Sequence, residues 1–123
     1  MLQIVEGKKP VIAKIHGAAF AAGCQLVASC DLAYSTKDSL FATPGVNIGL
    51  FCSTPMVAVS RKINRKPMMQ MLLTGEPIKA NYAKEIGLIN DHFSKSKLND
   101  EVLKVAKKIA SKSNLTKIGR AHV

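Results

Sequence analysis

The 123-residue chain has no tryptophan, and aromatics make up only 5% of it. Base-stacking platforms are therefore poorly supplied, which counts against a nucleic-acid module. Acidic residues are scarce: 8 Asp and Glu stand against 18 Lys and Arg, for a net charge of +10. That balance suits nucleic acid, acidic lipid or a polyanionic small molecule. There are three cysteines, Cys24, Cys30 and Cys52. No pair has CxxC spacing and an odd number closes no disulfide framework, so no metal site is expected and the thiols read as buried and reduced. No apolar run reaches the ~18 residues of a membrane-spanning helix. There is no internal sequence repeat and no low-complexity tract. Residues 1–6 are neither Arg-rich nor patterned like a signal peptide.

What the chain does have is an apolar fraction of 47%, enough for the core of one domain. Its organising stretch runs from Gly17 to Asp31. An apolar run at residues 11–16 reads as a strand buried on both faces. Residues 17–22 are nearly all small and read as a turn. From Gly23, the spacing of Leu26, Val27 and Cys30 predicts a short helix. The first N–H groups of a helix lack intrahelical partners and carry partial positive charge. A small-residue turn into a helix N-terminus is thus a place where a developing negative charge can be held.

Further on, residues 32–35 and 40–42 read as short strands. Residues 43–53, with Pro44, Gly45 and Gly49, form a loop of special backbone geometry. Thr54 and Pro55 then start a helix as cap and first position. A second helix begins near Lys66-Pro67, with Met68, Met69, Met71, Leu72 and Leu73 on its inner side, and Gly75 and Pro77 stop it. Residues 79–85 form a short helix and residues 88–93 a strand. The clearest helix covers residues 98–111. Leu98, Val102, Val105, Ala106 and Ile109 mark its apolar face, Lys104, Lys107, Lys108 and Lys112 its polar one, and Ser96 or Asn99 its cap. The pattern is an α/β layer followed by C-terminal helices.

Several motifs in order carry a resemblance: Lys9-Pro10-Val11-Ile12-Ala13, His16-Gly17, Ala22-Gly23-Cys24 and Cys30-Asp31-Leu32-Ala33. Phe41-Ala42-Thr43-Pro44-Gly45 continues them through Thr54-Pro55, and Leu73-Thr74-Gly75-Glu76-Pro77-Ile78 follows. Over residues 9 to 113 the sequence resembles the crotonase (enoyl-CoA hydratase/isomerase) superfamily. The resemblance implies a fold of stacked ββα turns, a crotonase-like spiral followed by C-terminal helices. It also implies a mitochondrial location, an acyl-CoA ligand with no further cofactor, and assembly as a homo-trimer or hexamer. The net positive charge suits the phosphates of coenzyme A. Roughly half a domain precedes this region in the family, so the chain reads as a fragment without its N-terminal half.

By the same resemblance, Ala22 and Gly23 form the oxyanion and acyl-CoA-binding turn, with the Ala22 backbone N–H as one oxyanion donor. One such donor contributes about 3–4 kcal/mol to the transition state. The positions of the two catalytic glutamates hold Gln25 and Gly45, neither of which exchanges a proton usefully near neutral pH. Losing a general acid–base group costs typically about 10²–10⁴-fold. Asn47, Cys52, Ser53 and Thr54 are polar neighbours. Asp31 and Asp38 lie away from the pocket, and His16 reads as packed or on the surface. The expectation is an acyl-CoA-binding protein of fatty-acid metabolism whose hydratase activity is lost or weak. The alternatives are an active enoyl-CoA hydratase/isomerase-type enzyme using other residues, and a basic RNA- or protein-interaction module. Nucleic acid is the least expected partner. Residues 1–117 form the partial domain. Residues 118–123 depart from the family pattern and resemble the in-frame translation of a sequencing-library adapter, so that a non-native tail is expected there.

Overall fold

The computed structural model describes residues 1–123, apart from the side chains of Ala121 and His122. A short helix α1 (Leu2–Glu6) leads into two successive ββα turns. The first comprises β1 (Ile12–Ile15), β2 (Ala18–Phe20) and α2 (Ala22–Ser29). The second comprises β3 (Leu32–Thr36), β4 (Leu40–Ala42), a 3-10 turn (Pro44–Ile48) and α3 (Ser53–Ser60). Then come α4 (Arg65–Thr74), β5 (Ile78–Lys79), α5 (Ala80–Glu85), β6 (Asp91–Phe93) and α6 (Lys95–Ala110). A helix α7 (Asn114–Ile118) and a 3-10 turn (Gly119–His122) complete the chain.

The turns stack. The first strand of each enters one sheet, of order β1-β3-β6, and the second enters another, of order β2-β4-β5. Strands β1 and β3 run parallel with Ile12 opposite Leu32, and β2 and β4 run parallel with Ala18 opposite Leu40. Strand β6 is parallel to β3, whereas β5 is antiparallel to β4. This is the α/β arrangement of stacked ββα turns followed by helices that the resemblance implied. Strand β2 lies inside residues 17–22, which had read as a turn. Its three residues show no strand pattern of their own and are extended because β4 pairs with them.

Strand β1 is not buried on both faces. Only Ile15 is fully buried, and Lys14 is exposed, donating through Nζ to Asn99 Oδ1 of α6. Helix α6 covers this sheet with Leu98 fully buried. It starts three residues earlier than its apolar spacing suggested, after Ser94 rather than Ser96 or Asn99. Lys104, Lys107, Lys108 and Lys112 are exposed, as expected. Helix α3 also starts early, at Ser53, with Cys52 as its cap. Pro55 then sits within the first turn, where its missing N–H removes no intrahelical bond.

The core joins both turns to α4. Phe41, Val59, Met71 and Leu72 are fully buried together with Cys24. Met68, Met71 and Leu72 form the inner stripe of α4 at helical spacing. Leu73 is 59% exposed, because one further residue turns it off that stripe. Gly75 caps α4 in the left-handed conformation, φ 67°, as the Gly-then-Pro signal required. We expect Phe41→Ala to cost about 3–5 kcal/mol, and Leu73→Ala to change stability by no more than about 0.5 kcal/mol, in urea unfolding.

Candidate functional site

The site grows from the junction between β2 and α2. Ala21 carries φ 50° and ψ −114°, and it is the one non-glycine residue with positive φ among the described residues. This backbone turn swings the chain from β2 into α2. It is held because the Ala21 N–H donates to the Ala42 carbonyl at the end of β4, 2.9 Å away. The first helical bond back comes from the Gln25 N–H to the Ala21 carbonyl, at 3.0 Å. The N–H groups of Ala22, Gly23 and Cys24 therefore head the helix without intrahelical partners. Ala22 is exposed and Gly23 half-buried, so the first two residues of the helix stand at the surface of the fold, while Cys24 is buried. Residues 22 and 23, the expected oxyanion turn, thus lie at the start of α2.

The Ala21–Ala42 bond also sets what faces the helix head. Residues 43–45 follow directly, so the loop containing Gly45 adjoins the turn containing Ala22. Gln25 is half-buried, and its side chain makes no hydrogen bond among the described residues. Thr43 is fully buried, and its Oγ1 has no protein partner. Sequence reasoning missed it, since Thr in a loop gives no sign that its hydroxyl will be enclosed.

Gly45 is enclosed by its own loop. Its N–H donates to Cys52 Sγ at 3.2 Å, and its carbonyl accepts from the Leu50 N–H at 2.9 Å. A Cβ at this position would stand 2.8 Å from Cys52 Sγ and 2.9 Å from the Leu50 carbonyl oxygen. The loop has closed over the space in which a side chain at 45 would begin. Cys52, expected in a polar loop, is half-buried at the α3 cap and packs against the core.

Cys24 lies under the helix head and is fully buried. Burial, with a smaller contribution from nearby Cys52, pushes its thiol up to about 12 from an ordinary 9.0. Cys30 is also buried, and burial, then neighbouring Asp31, raises its thiol as well. The remaining candidates lie elsewhere. Asp31 is at the far end of α2, where it accepts from the Val11 N–H at 2.8 Å and pairs with Arg120 at 2.9 Å. Asp38 is exposed in the turn before β4, and a hydrogen bond from Thr36 lowers its carboxyl. His16 is exposed. Asn47, Ser53 and Thr54 are exposed around the loop. No group of three or more metal-ligating side chains occurs among the described residues.

Two expectations follow. Gly45→Ala is expected to cost about 1–3 kcal/mol by overpacking, because Leu50 O is backbone and cannot swing aside. Gly45→Glu is expected to cost at least as much in the same unfolding measurement. For Cys24, the unfolded thiol ionises near 9 while the native one keeps its proton to about 12. Between those values the unfolded state binds fewer protons, so stability falls as pH rises. Unfolding titrations from pH 8 to about 11 are expected to show that fall, and Cys24→Ala to make it shallower, with the raised Cys30 thiol leaving a remainder.

The same chain resembles known proteins over nearly all its length. It is 53% identical over 113 residues to enoyl-CoA hydratase domain-containing protein 3, mitochondrial, of Danio rerio, covering 92% of this chain and 39% of the relative. The Homo sapiens protein of that name is 50% identical over 122 residues, 98% of this chain and 40% of the relative. The crystal structure of the human protein superposes with a TM-score of 0.94 at 50% identity, covering 98% of this chain and 48% of that one. A Mycobacterium smegmatis enoyl-CoA hydratase structure gives 0.95 at 49% identity, with 98% and 47% coverage. The chain thus spans about two fifths of the length of the curated relatives it matches. With the family model described as enoyl-CoA hydratase/isomerase matching residues 1–118, the chain belongs to the enoyl-CoA hydratase/isomerase family.

Proposed function

We infer that the protein binds acyl-CoA thioesters at the head of α2 and is a weak hydratase or none. The observation that carries this reading is the closure of Cys52 Sγ and the Leu50 carbonyl over Gly45. Hydration needs a group to polarise the thioester oxygen and carboxylates to move protons. For the first, the α2 head offers one such donor, the N–H of Ala22, with Gly23 beside it. Gln25 and Gly45, which stand where the family's glutamates are matched, do not supply the second. An amide at 25 donates and accepts hydrogen bonds but holds its protons near neutral pH. The position at 45 has no side chain and no room for one. An oxyanion turn without proton-transfer groups favours binding over turnover.

The relatives from zebrafish, rat, human and mouse are named mitochondrial, and by that resemblance the chain is mitochondrial. A trimeric or hexameric assembly and a role in fatty-acid metabolism belong to this reading. The net charge of +10 suits the coenzyme A phosphates.

The test follows loss of enone absorbance from a short 2-enoyl-CoA, beside calorimetric titration with a saturated acyl-CoA. Micromolar binding with turnover at least about 10⁴-fold below an active hydratase is expected, given two lost acid–base groups. Gln25→Glu is expected to raise turnover while leaving binding within a few-fold. Rapid turnover by the natural protein would overturn the claim of lost chemistry. Absence of acyl-CoA binding would overturn the claim of a thioester site.

A further inference from the structure

We propose that the corner between α3 and α4 is a docking surface for an anionic lipid bilayer. Four cations, Arg61, Lys62, Arg65 and Lys66, fall within six residues and are all exposed. The ion pairs among the described residues are Lys84–Asp91, Lys104–Glu101 and Arg120–Asp31, so none of the four has a carboxylate within 4.0 Å. Arg65 and Lys66 occupy the first turn of α4. Cations there add to the positive potential of a helix start instead of offsetting it. The local field is thus built up by sequence and backbone together.

An exposed apolar side chain adjoins this corner on α3, and another stands further along α4. Val57, four residues before Arg61 on the same face, is 48% exposed. On α4, Lys66, Gln70 and Leu73 follow one exposed stripe at helical spacing, and Leu73 is 59% exposed. Cations beside exposed aliphatic residues are the composition that settles at a bilayer interface, the charges among anionic headgroups and the aliphatics below them. RNA would use the same charges, but it gains its hold on bases through aromatic stacking. No aromatic residue occurs between Phe51 and Tyr82. Lipid is therefore the partner this surface fits.

The test is co-sedimentation of the protein with vesicles of phosphatidylcholine alone, and of phosphatidylcholine with about one third phosphatidylglycerol, a composition that supplies the anionic surface. Binding to the anionic vesicles only, released by salt, is expected. The quadruple variant R61Q/K62Q/R65Q/K66Q is expected to lose about a hundredfold or more in partitioning, given the contribution of each cation near an anionic surface. The variant K104Q/K107Q/K108Q/K112Q removes the same formal charge from α6 and is expected to bind within about threefold of the natural protein, as its lysines lie off the docking face. Circular dichroism establishes that both variants keep their fold. Equal losses in the two variants would reduce the effect to net charge and overturn the proposal. So would no binding by the natural protein, or binding to single-stranded RNA without binding to anionic vesicles.

Discussion

Everything at the candidate site depends on one backbone hydrogen bond, from the Ala21 N–H to the Ala42 carbonyl. It joins the end of one ββα turn to the end of the next, at the residue where β2 becomes α2. It helps to hold Ala21 at φ 50°, a conformation that costs an L-residue of order 1–3 kcal/mol. The parallel pairings of β1 with β3 and of β2 with β4 bring the two ends into reach. The nearness of the Gly45 loop to the α2 head follows from that single tie.

The loop that follows Ala42 sets the surroundings of Gly45. A 3-10 turn, the Leu50 N–H bond to the Gly45 carbonyl and the Cys52 thiol close the backbone around Gly45. The absence of a carboxylate there is thus a matter of packing as well as of residue identity. Changing one residue does not restore it, because the obstructing Leu50 oxygen belongs to the main chain. The enclosed Thr43 hydroxyl lies at the entrance of this loop, where an unpartnered buried polar group costs of order 1–3 kcal/mol.

Charge is distributed unevenly over the rest of the surface. On α6 the lysines lie along the polar side of an amphipathic helix, and one of them, Lys104, pairs with Glu101. At the α3–α4 corner the cations stand close together without carboxylates. The first arrangement is what any solvated helix face looks like. The second concentrates potential beside exposed aliphatic side chains, and that distinguishes it.

By itself the sequence determined what local chemistry decides. The stop at Gly75-Glu76-Pro77, the amphipathic face of α6, the burial of Cys24 and Cys30 and the small-residue entry to α2 were all legible in it. Each rests on residues within a few positions of one another: a left-handed cap, a helical spacing, an apolar run. The tertiary structure alone decided the rest. Strand β2 exists because Ala18 to Phe20 meet Leu40 to Ala42, a pairing more than twenty residues apart that three small and aromatic residues do not announce. The exposure of Lys14 was set by where α6 covers the first sheet, and that of Leu73 by which side of α4 meets the core. The sealing of Gly45 needed Cys52 and Leu50 to fold back upon it, because steric exclusion is a property of atoms brought together in space and not of their order along the chain.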